Sequence, residues 1–316
     1  MDISYPLRIG TRGSPLALAQ ASETRSRLVA AYPPLAGDGM IEIIVIRTTG
    51  DAIQDRPLLE IGGKGLFTKE IDEALLDRRI DIAVNSMKDV PTWLPDGIVV
   101  AALLEREDVR DAFISIKARD IAGLAAGSVV GTSSLRRQAQ ILHTRPDLTV
   151  VPLRGNVETR LGKLAAGECD ATLLAVAGLV RLGRVDAITS FLSTEAMLPA
   201  VAQGAIGITS RTDDVAAREF LDAINHRPTA VRVAAERAFL EALDGSCNTP
   251  IGGLAAFESS DTLRLRGLVV TPDGVVLLQT TRKGPVADAV AMGRDAGKEL
   301  LQRAGPRFFT VPPGPA

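Results

Sequence analysis

The feature that most constrains the fold of this chain is a repeated alternation of strand-like and helix-like segments. A short apolar run from Leu7 is followed by Ser14-Pro15, a helix cap with proline in the first turn, and then by a helical pattern to about Tyr32. The same order recurs along the first hundred residues, and a second series begins near Asp111. Alternation of this kind predicts an α/β protein.

The last ninety residues follow a different order. Three strand-like runs are grouped there (Gly252 to Phe257, Leu263 to Val270 and Val275 to Thr281). Helical patterns at Thr229 to Leu243 and Val286 to Arg303 flank them, which predicts a small α+β domain with an antiparallel sheet. Asp273-Gly274 between two of the apolar runs is a hairpin signal. The segment AIGIT after Gly204 predicts one more strand. We therefore predict three domains, with boundaries at residues 1–104 plus 205–227, 105–204 and 228–316.

Composition argues against nucleic-acid-binding, metal-binding and membrane-spanning proteins. The formal net charge is -2 and aromatic residues are 3% of the chain, which disfavours a nucleic-acid-binding protein. Two His and two Cys, far apart in sequence, predict no metal site. No apolar run is long enough to span a membrane, and the first residues lack a signal-peptide pattern. Sparse cysteine use favours a reducing compartment, so we expect a cytoplasmic protein.

Basic residues cluster in the middle of the chain. Between Gly131 and Arg184 there are eight basic and four acidic residues, a local excess of +4. In GTSSLRRQ, Ser134, Arg136 and Arg137 follow a strand and open a helix predicted over Leu135 to Thr144. Backbone N–H groups, hydroxyls and two guanidiniums could then converge on one anion. The alternative interpretation is an N-cap followed by solvated arginines.

Further arginines follow other strands in the same way. Arg154 in LRGN comes directly after a strand, Arg160 lies in the next helix, and Arg12 lies in the first strand-to-helix turn. Their repetition favours a cleft that binds several carboxylates or phosphates.

A carboxylate also follows a buried strand. In NSMKDVP, Lys88 and Asp89 stand between that strand and a proline. Asp89 is a candidate for proton transfer or for stabilising a developing cation. The alternative is a turn cap paired with Lys88, and the sequence alone leaves both open.

Cys247 lies in a turn-forming stretch, DGSCNTPIGG, with no histidine near it in sequence. By itself it predicts no nucleophile. The glycines of IGGKGLF do not have the spacing of a phosphate-binding loop and predict a mobile loop.

Taken in order, the motifs of the chain closely resemble those of the porphobilinogen deaminase family. They are TRGSPLALAQ, GGKGLFTKE, DIAVNSMKDVPT, EREDVRDAF, GTSSLRRQAQ, LRGNVETRL, AVAGLVRLG, AVAQGAIGI and GSCNTPIGG. The resemblance implies two α/β domains similar to a type II periplasmic binding protein, with the chain crossing from the first to the second and back, and a third α+β domain. It also implies a monomeric transferase that joins four porphobilinogen molecules head to tail, releases ammonia and yields the linear tetrapyrrole hydroxymethylbilane.

The resemblance further implies roles for individual residues. One dipyrromethane cofactor per chain is expected in thioether linkage to Cys247, and Asp89 matches the catalytic aspartate. The residues matching those that hold the carboxylates of the cofactor are Lys88, Ser134, Arg136 and Arg137. Those matching the residues near the substrate or growing chain are Arg12, Ser14, Arg154 and Arg160.

The chain departs from the family pattern at three positions. It has Asn85 where the family often has His, Ser246 where Gly is common, and Glu60 where many bacterial members have Lys. None of these removes the attachment or catalytic residue. A solute-binding module is the rival interpretation of two lobes with an arginine-lined cleft, but such a module needs neither a pigment on Cys247 nor Asp89. A nucleic-acid-binding protein ranks last because of the charge balance.

Overall fold

The structure is a computed structural model, and its described residues form two compact units. The first unit comprises residues 6–52, 68–107 and 204–230, and the second comprises residues 108–203, 231–243, 249–306 and 308–309. No helix among these residues combines the length and the apolar character needed to cross a bilayer.

The first unit contains a five-stranded sheet with helices around it. Its strands are β1 (Leu7–Arg12), β2 (Ile41–Ile46), β3 (Ile82–Ser86), β4 (Ile98–Leu103) and β10 (Ile206–Arg211). Its helices are α1 (Pro15–Ala31), α2 (Thr49–Ala52), α3 (Lys69–Leu76) and α7 (Val215–Asp222). The strand order is β2-β1-β3-β10-β4, and only β10 runs antiparallel to its neighbours. The predicted strand after Gly204 therefore returns to the first sheet.

The second unit contains a sheet of the same design. Its strands are β5 (Asp111–Ser115), β6 (Val129–Gly131), β7 (Thr149–Val151), β8 (Ala171–Ala175) and β9 (Ser190–Phe191). Its helices are α4 (Leu135–Thr144), α5 (Val157–Ala165) and α6 (Val176–Arg181). The order β7-β6-β8-β5-β9 again places one antiparallel strand, β5, in the fourth position.

The C-terminal part of the second unit is a three-stranded antiparallel sheet. Its strands are β11 (Ile251–Phe257), β12 (Thr262–Val270) and β13 (Leu277–Pro285). The helices on either side of it in sequence are α8 (Arg227–Ala242) and α9 (Ala289–Ala304). The predicted class, α/β with a separate antiparallel C-terminal sheet, is confirmed. The domain boundaries given above stay a prediction.

The starts of helix α8 and strand β13 differ from the predicted ones. Helix α8 begins at Arg227, two residues before the predicted start, because proline is tolerated in the first turn of a helix, where its missing N–H has no intrahelical acceptor. Strand β13 begins at Leu277 rather than Val275, since the turn around Gly274 is longer than a two-residue hairpin. Gly274 has a φ of 78°, and the N–H of Thr271 donates to the carbonyl of Val276.

Apolar contacts join α4 to the C-terminal sheet within the second unit. Ala139 of α4 belongs to one buried cluster with Leu254 and Leu268 of that sheet. Two polar contacts support the same helix. The Gln140 amide exchanges hydrogen bonds with the backbone of Leu198, and the Nδ1 atom of His143 lies 2.8 Å from the carbonyl oxygen of Gly274. Helix α4, which Ser134 precedes, is therefore held along its second half.

Candidate active site

In the first unit, the predicted site residues meet at the carboxyl ends of β1 and β3. These strands are parallel neighbours, so their ends lie at one edge of the sheet. Arg12 is the last residue of β1, and Ser14 caps α1 by accepting from the N–H of Ala17 at 3.2 Å. Arg12, Ser14 and Asp89 line one cavity of about 50 Å³. The structure thus brings a cation and a carboxylate to the same cavity.

Asp89 ends a single 3-10 turn (Met87–Asp89) that directly follows β3. The turn is fixed at its start, because the N–H of Met87 donates to the carbonyl of Ala205 at 3.0 Å and the Met87 side chain is buried. A Cβ atom on Gly207 of β10 would lie 2.0 Å from the sulfur of Met87, so only glycine leaves room for this side chain. Lys88 and Asp89 are both half-buried.

Three polar residues of this cavity, Gln20, Thr68 and Ser86, were not identified from the sequence. Gln20 donates from Nε2 to the hydroxyl of Ser86 at 2.8 Å, and both residues line the cavity together with Asn85. Gln20 is buried, on the same helix face as Ala17 and Ala21. A polar residue at helical spacing from Ala17, Ala21 and Leu28 was the signal that could have revealed it.

In the second unit, Ser134 is the N-cap of α4 and accepts from the N–H of Arg137 at 3.5 Å. The capping part of the alternative interpretation is therefore correct, but the two arginines are not solvated. Arg136 and Arg137 are 4% and 5% exposed. Their Nη2 atoms donate to the two carboxylate oxygens of Asp111, each at 2.7 Å. Asp111 was not predicted as a site residue.

The buried cluster of Asp111, Arg136 and Arg137 carries two positive charges and one negative charge. Burial alone would raise the pKa of Asp111, but the charges of the two arginines and their hydrogen bonds hold it well below its ordinary value. The Nε atoms of both arginines and the hydroxyl of Ser133 are buried and have no acceptor or donor among the described residues. Such groups, beside an excess positive charge, fit a ligand that carries carboxylates.

Arg154 and Arg160 lie at the carboxyl end of β7, which is a parallel neighbour of β6. Gly155 between them has a φ of 117°, a conformation that side chains disfavour, and Asn156 caps α5 by accepting from the N–H of Thr159. Arg160 donates from Nε to the carbonyl of Gly155 at 2.9 Å, and both arginines are half-buried. The ends of β6 and β7 therefore bring two pairs of predicted arginines to one edge of this sheet, Arg136 with Arg137 and Arg154 with Arg160.

The predicted attachment residue, Cys247, lies outside the described residues, as do Ser246 and Glu60. The elements on either side of Cys247 in sequence are α8 and β11, and β11 and most of α8 belong to the second unit. Cys169, the other cysteine, is buried with a free thiol, and burial raises the pKa of that thiol. Within the described residues, no group of His, Cys, Asp and Glu side chains is arranged to hold a metal ion.

Comparisons with known proteins agree with the order of motifs. Residues 7–219 match the family model "porphobilinogen deaminase, dipyromethane cofactor binding domain", and residues 230–302 match "porphobilinogen deaminase, C-terminal domain". A chloroplastic porphobilinogen deaminase of Oryza sativa is 57% identical, covering 96% of this chain and 85% of the relative. A porphobilinogen deaminase of Nitrobacter hamburgensis is 59% identical, covering 96% and 95%. A periplasmic substrate-binding protein from Coxiella burnetii has a TM-score of 0.44 at 14% identity, covering 73% of this chain and 96% of that structure.

Proposed function

The chain belongs to the porphobilinogen deaminase family, and from that premise we propose how its residues divide the work of the reaction. The reaction joins porphobilinogen molecules into the linear tetrapyrrole hydroxymethylbilane, in tetrapyrrole biosynthesis. It uses a dipyrromethane cofactor. When bound, that cofactor would supply the pyrrole to which the first substrate is joined. Four substrates are joined head to tail, and each loses ammonia.

We assign the chemical step to Asp89. The observation that carries this assignment is the cavity shared by Arg12, Ser14 and Asp89 at the edge of the first sheet. Loss of ammonia from porphobilinogen leaves an electron-poor pyrrole, and attack by the α-carbon of the next pyrrole gives a cationic ring that must lose a proton. A carboxylate beside these rings stabilises the positive charge and assists the transfer of that proton. Arg12 and Ser14 supply a cation and a hydroxyl for a carboxylate of the same substrate.

The test of this assignment is Asp89→Asn beside Asp96→Asn, an exposed carboxylate seven residues further along the chain. We expect Asp89→Asn to keep the fold and to lose about 10²- to 10⁴-fold in turnover, the usual contribution of one acid–base group. Asp96→Asn should react at the rate of the unaltered chain. Substantial turnover by folded Asp89→Asn would refute the role of Asp89.

We assign the binding of the cofactor to Cys247 and to Lys88, Ser134, Arg136 and Arg137. The unpaired Nε atoms and the excess positive charge of the arginine cluster support this assignment, since the cofactor carries several carboxylates. Arg154 and Arg160, at the neighbouring strand end, are assigned to the carboxylates of the substrate or growing chain.

Intact mass tests the covalent attachment, and the second cysteine provides a matched control. Cys169→Ala should retain an added mass equal to two linked pyrroles and gain pyrrole-sized steps with porphobilinogen, whereas Cys247→Ala should show neither. Equal masses for the two variants would refute attachment at Cys247.

We also propose that the chain works as a monomer in the cytoplasm and binds no nucleic acid. Its sparse cysteines and net charge of -2 support the compartment and the lack of affinity for polyanions. Light scattering that gives the 33.3 kDa of one chain would support the monomer, and twice that mass would refute it.

A further inference from the structure

The carboxylate of Asp111 is shared between the two arginines assigned to the cofactor. Oδ2 accepts from Arg136 and Oδ1 from Arg137, each at 2.7 Å, and Asp111 has no exposed surface. Because the two oxygens of one carboxylate lie a fixed distance apart, they also fix the spacing of the two guanidiniums.

Backbone carbonyls fix the opposite branch of each guanidinium. Arg136 donates from Nη1 to the carbonyl of Leu198 at 2.7 Å, and Arg137 donates from Nη1 to the carbonyl of Leu173 at 2.9 Å. The guanidinium is planar, so two contacts at Nη1 and Nη2 determine where its Nε–H points. The Nε–H is the group left without an acceptor among the described residues.

Asp111 is held in place by a further side chain. Gln203 donates from Nε2 to Oδ1 of Asp111 at 3.0 Å and to the carbonyl of Val109 at 2.8 Å. Gln203 is 1% exposed, and the backbone of Asp111 is paired with Ala175 in the sheet. The carboxylate therefore cannot turn away from the arginines without breaking buried hydrogen bonds.

We propose that Asp111 is a positioning residue for cofactor binding: it orients Arg136 and Arg137 toward the carboxylates of the dipyrromethane, and Gln203 holds Asp111 in that orientation. This inference rests on the proposed role of the two arginines. A buried ion pair that served stability alone needs no unpaired donors, whereas this cluster retains one positive charge and two unused N–H groups.

Each full-length variant is produced in cells that cannot make porphobilinogen, so that it starts free of the cofactor. The experiment then measures how fast it acquires the two-pyrrole mass when incubated with porphobilinogen, at a temperature where circular dichroism shows it folded. Asp111→Asn is compared with Asp170→Asn, another carboxylate of the second unit that accepts from a lysine, Lys117, and a backbone N–H. We expect Asp111→Asn to load about tenfold to a hundredfold more slowly than Asp170→Asn, since misoriented groups cost rates of this size. Gln203→Met, which keeps every charge and the side-chain length, should fall between them.

A double variant, Arg136→Lys with Arg137→Lys, separates the role of Asp111 from the role of the two arginines. It should load slowly, and adding Asp111→Asn to it should slow loading no further, because Asp111 acts through the arginines. The positioning role is overturned if Asp111→Asn loads as fast as Asp170→Asn, or if it slows the double variant by its full factor. If Asp111→Asn does not fold, wild-type loading by Gln203→Met overturns it. Normal loading by the double variant instead refutes the proposed role of the arginines.

Discussion

Glu236 is a buried carboxylate whose removal we expect to loosen two distant segments of the second unit. It has no exposed surface and accepts from the N–H of Ala202 at 2.7 Å and from the N–H of Ala255 at 2.9 Å. Ala202 precedes β10 and has a φ of 60°, while Ala255 lies in β11. One side chain of α8 thus holds a strained loop and a strand.

The expected cost follows from these two contacts. Each buried N–H left without an acceptor costs about 1–3 kcal/mol, so Glu236→Ala should lower the free energy of unfolding by about 4 kcal/mol. Glu236→Gln keeps one oxygen but turns an NH₂ group toward the other N–H, so its cost should be about half. Glu241→Ala on the same helix removes an exposed side chain and should cost under about 1 kcal/mol.

Urea unfolding followed by circular dichroism measures the order of the three variants. Hydrogen exchange read by mass spectrometry then locates the effect. In Glu236→Ala, the peptides that contain Ala202 and Ala255 should lose more protection than any other peptide of the second unit. Unchanged exchange in both peptides, or a Glu236→Ala variant as stable as Glu241→Ala, would refute this reasoning.

Three further predictions concern single positions. Burial raises the pKa of Asp72 to about 6, so the stability that this group contributes is present below about pH 4 and is lost as pH rises through 6. At pH 8, Asp72→Asn should therefore be more stable to urea than the unaltered chain by up to about 3 kcal/mol, and at pH 4 it should lose that advantage. An advantage independent of pH would contradict this. Gly207→Ala should displace Met87 and the turn that carries Asp89, lowering the free energy of unfolding by about 1–3 kcal/mol and also lowering turnover. Thermal melting and an assay of hydroxymethylbilane formation measure the two effects. Unchanged stability and turnover would show that the close packing of Met87 against Gly207 does not matter. Ala202→Gly relieves a left-handed backbone conformation and should raise the free energy of unfolding in urea by up to about 1 kcal/mol. A loss would show that the loop is unstrained, because glycine then only makes the unfolded chain more flexible.

Local patterns in the sequence were sufficient for most of the helices and strands. Helix α4 was predicted at Leu135–Thr144 and has those bounds, and Ser14 caps α1 as Ser14-Pro15 indicated. Helix α6 (Val176–Arg181) was missed, because it follows β8 with no capping side chain and its residues are too few for a periodic pattern. The order of motifs identified the family, and Arg12 and Asp89 were each predicted to lie where a strand ends, as the structure has them.

Only the tertiary structure decided which buried polar groups act together. Asp111 lies 25 and 26 residues from the arginines it pairs, Gln20 lies 66 residues from Ser86, and Glu236 lies 34 residues from Ala202. The sequence sets helix caps and strand alternation because those depend on neighbouring residues. It does not indicate a buried partner, since burial and hydrogen-bond geometry arise only when segments distant in the chain pack against each other.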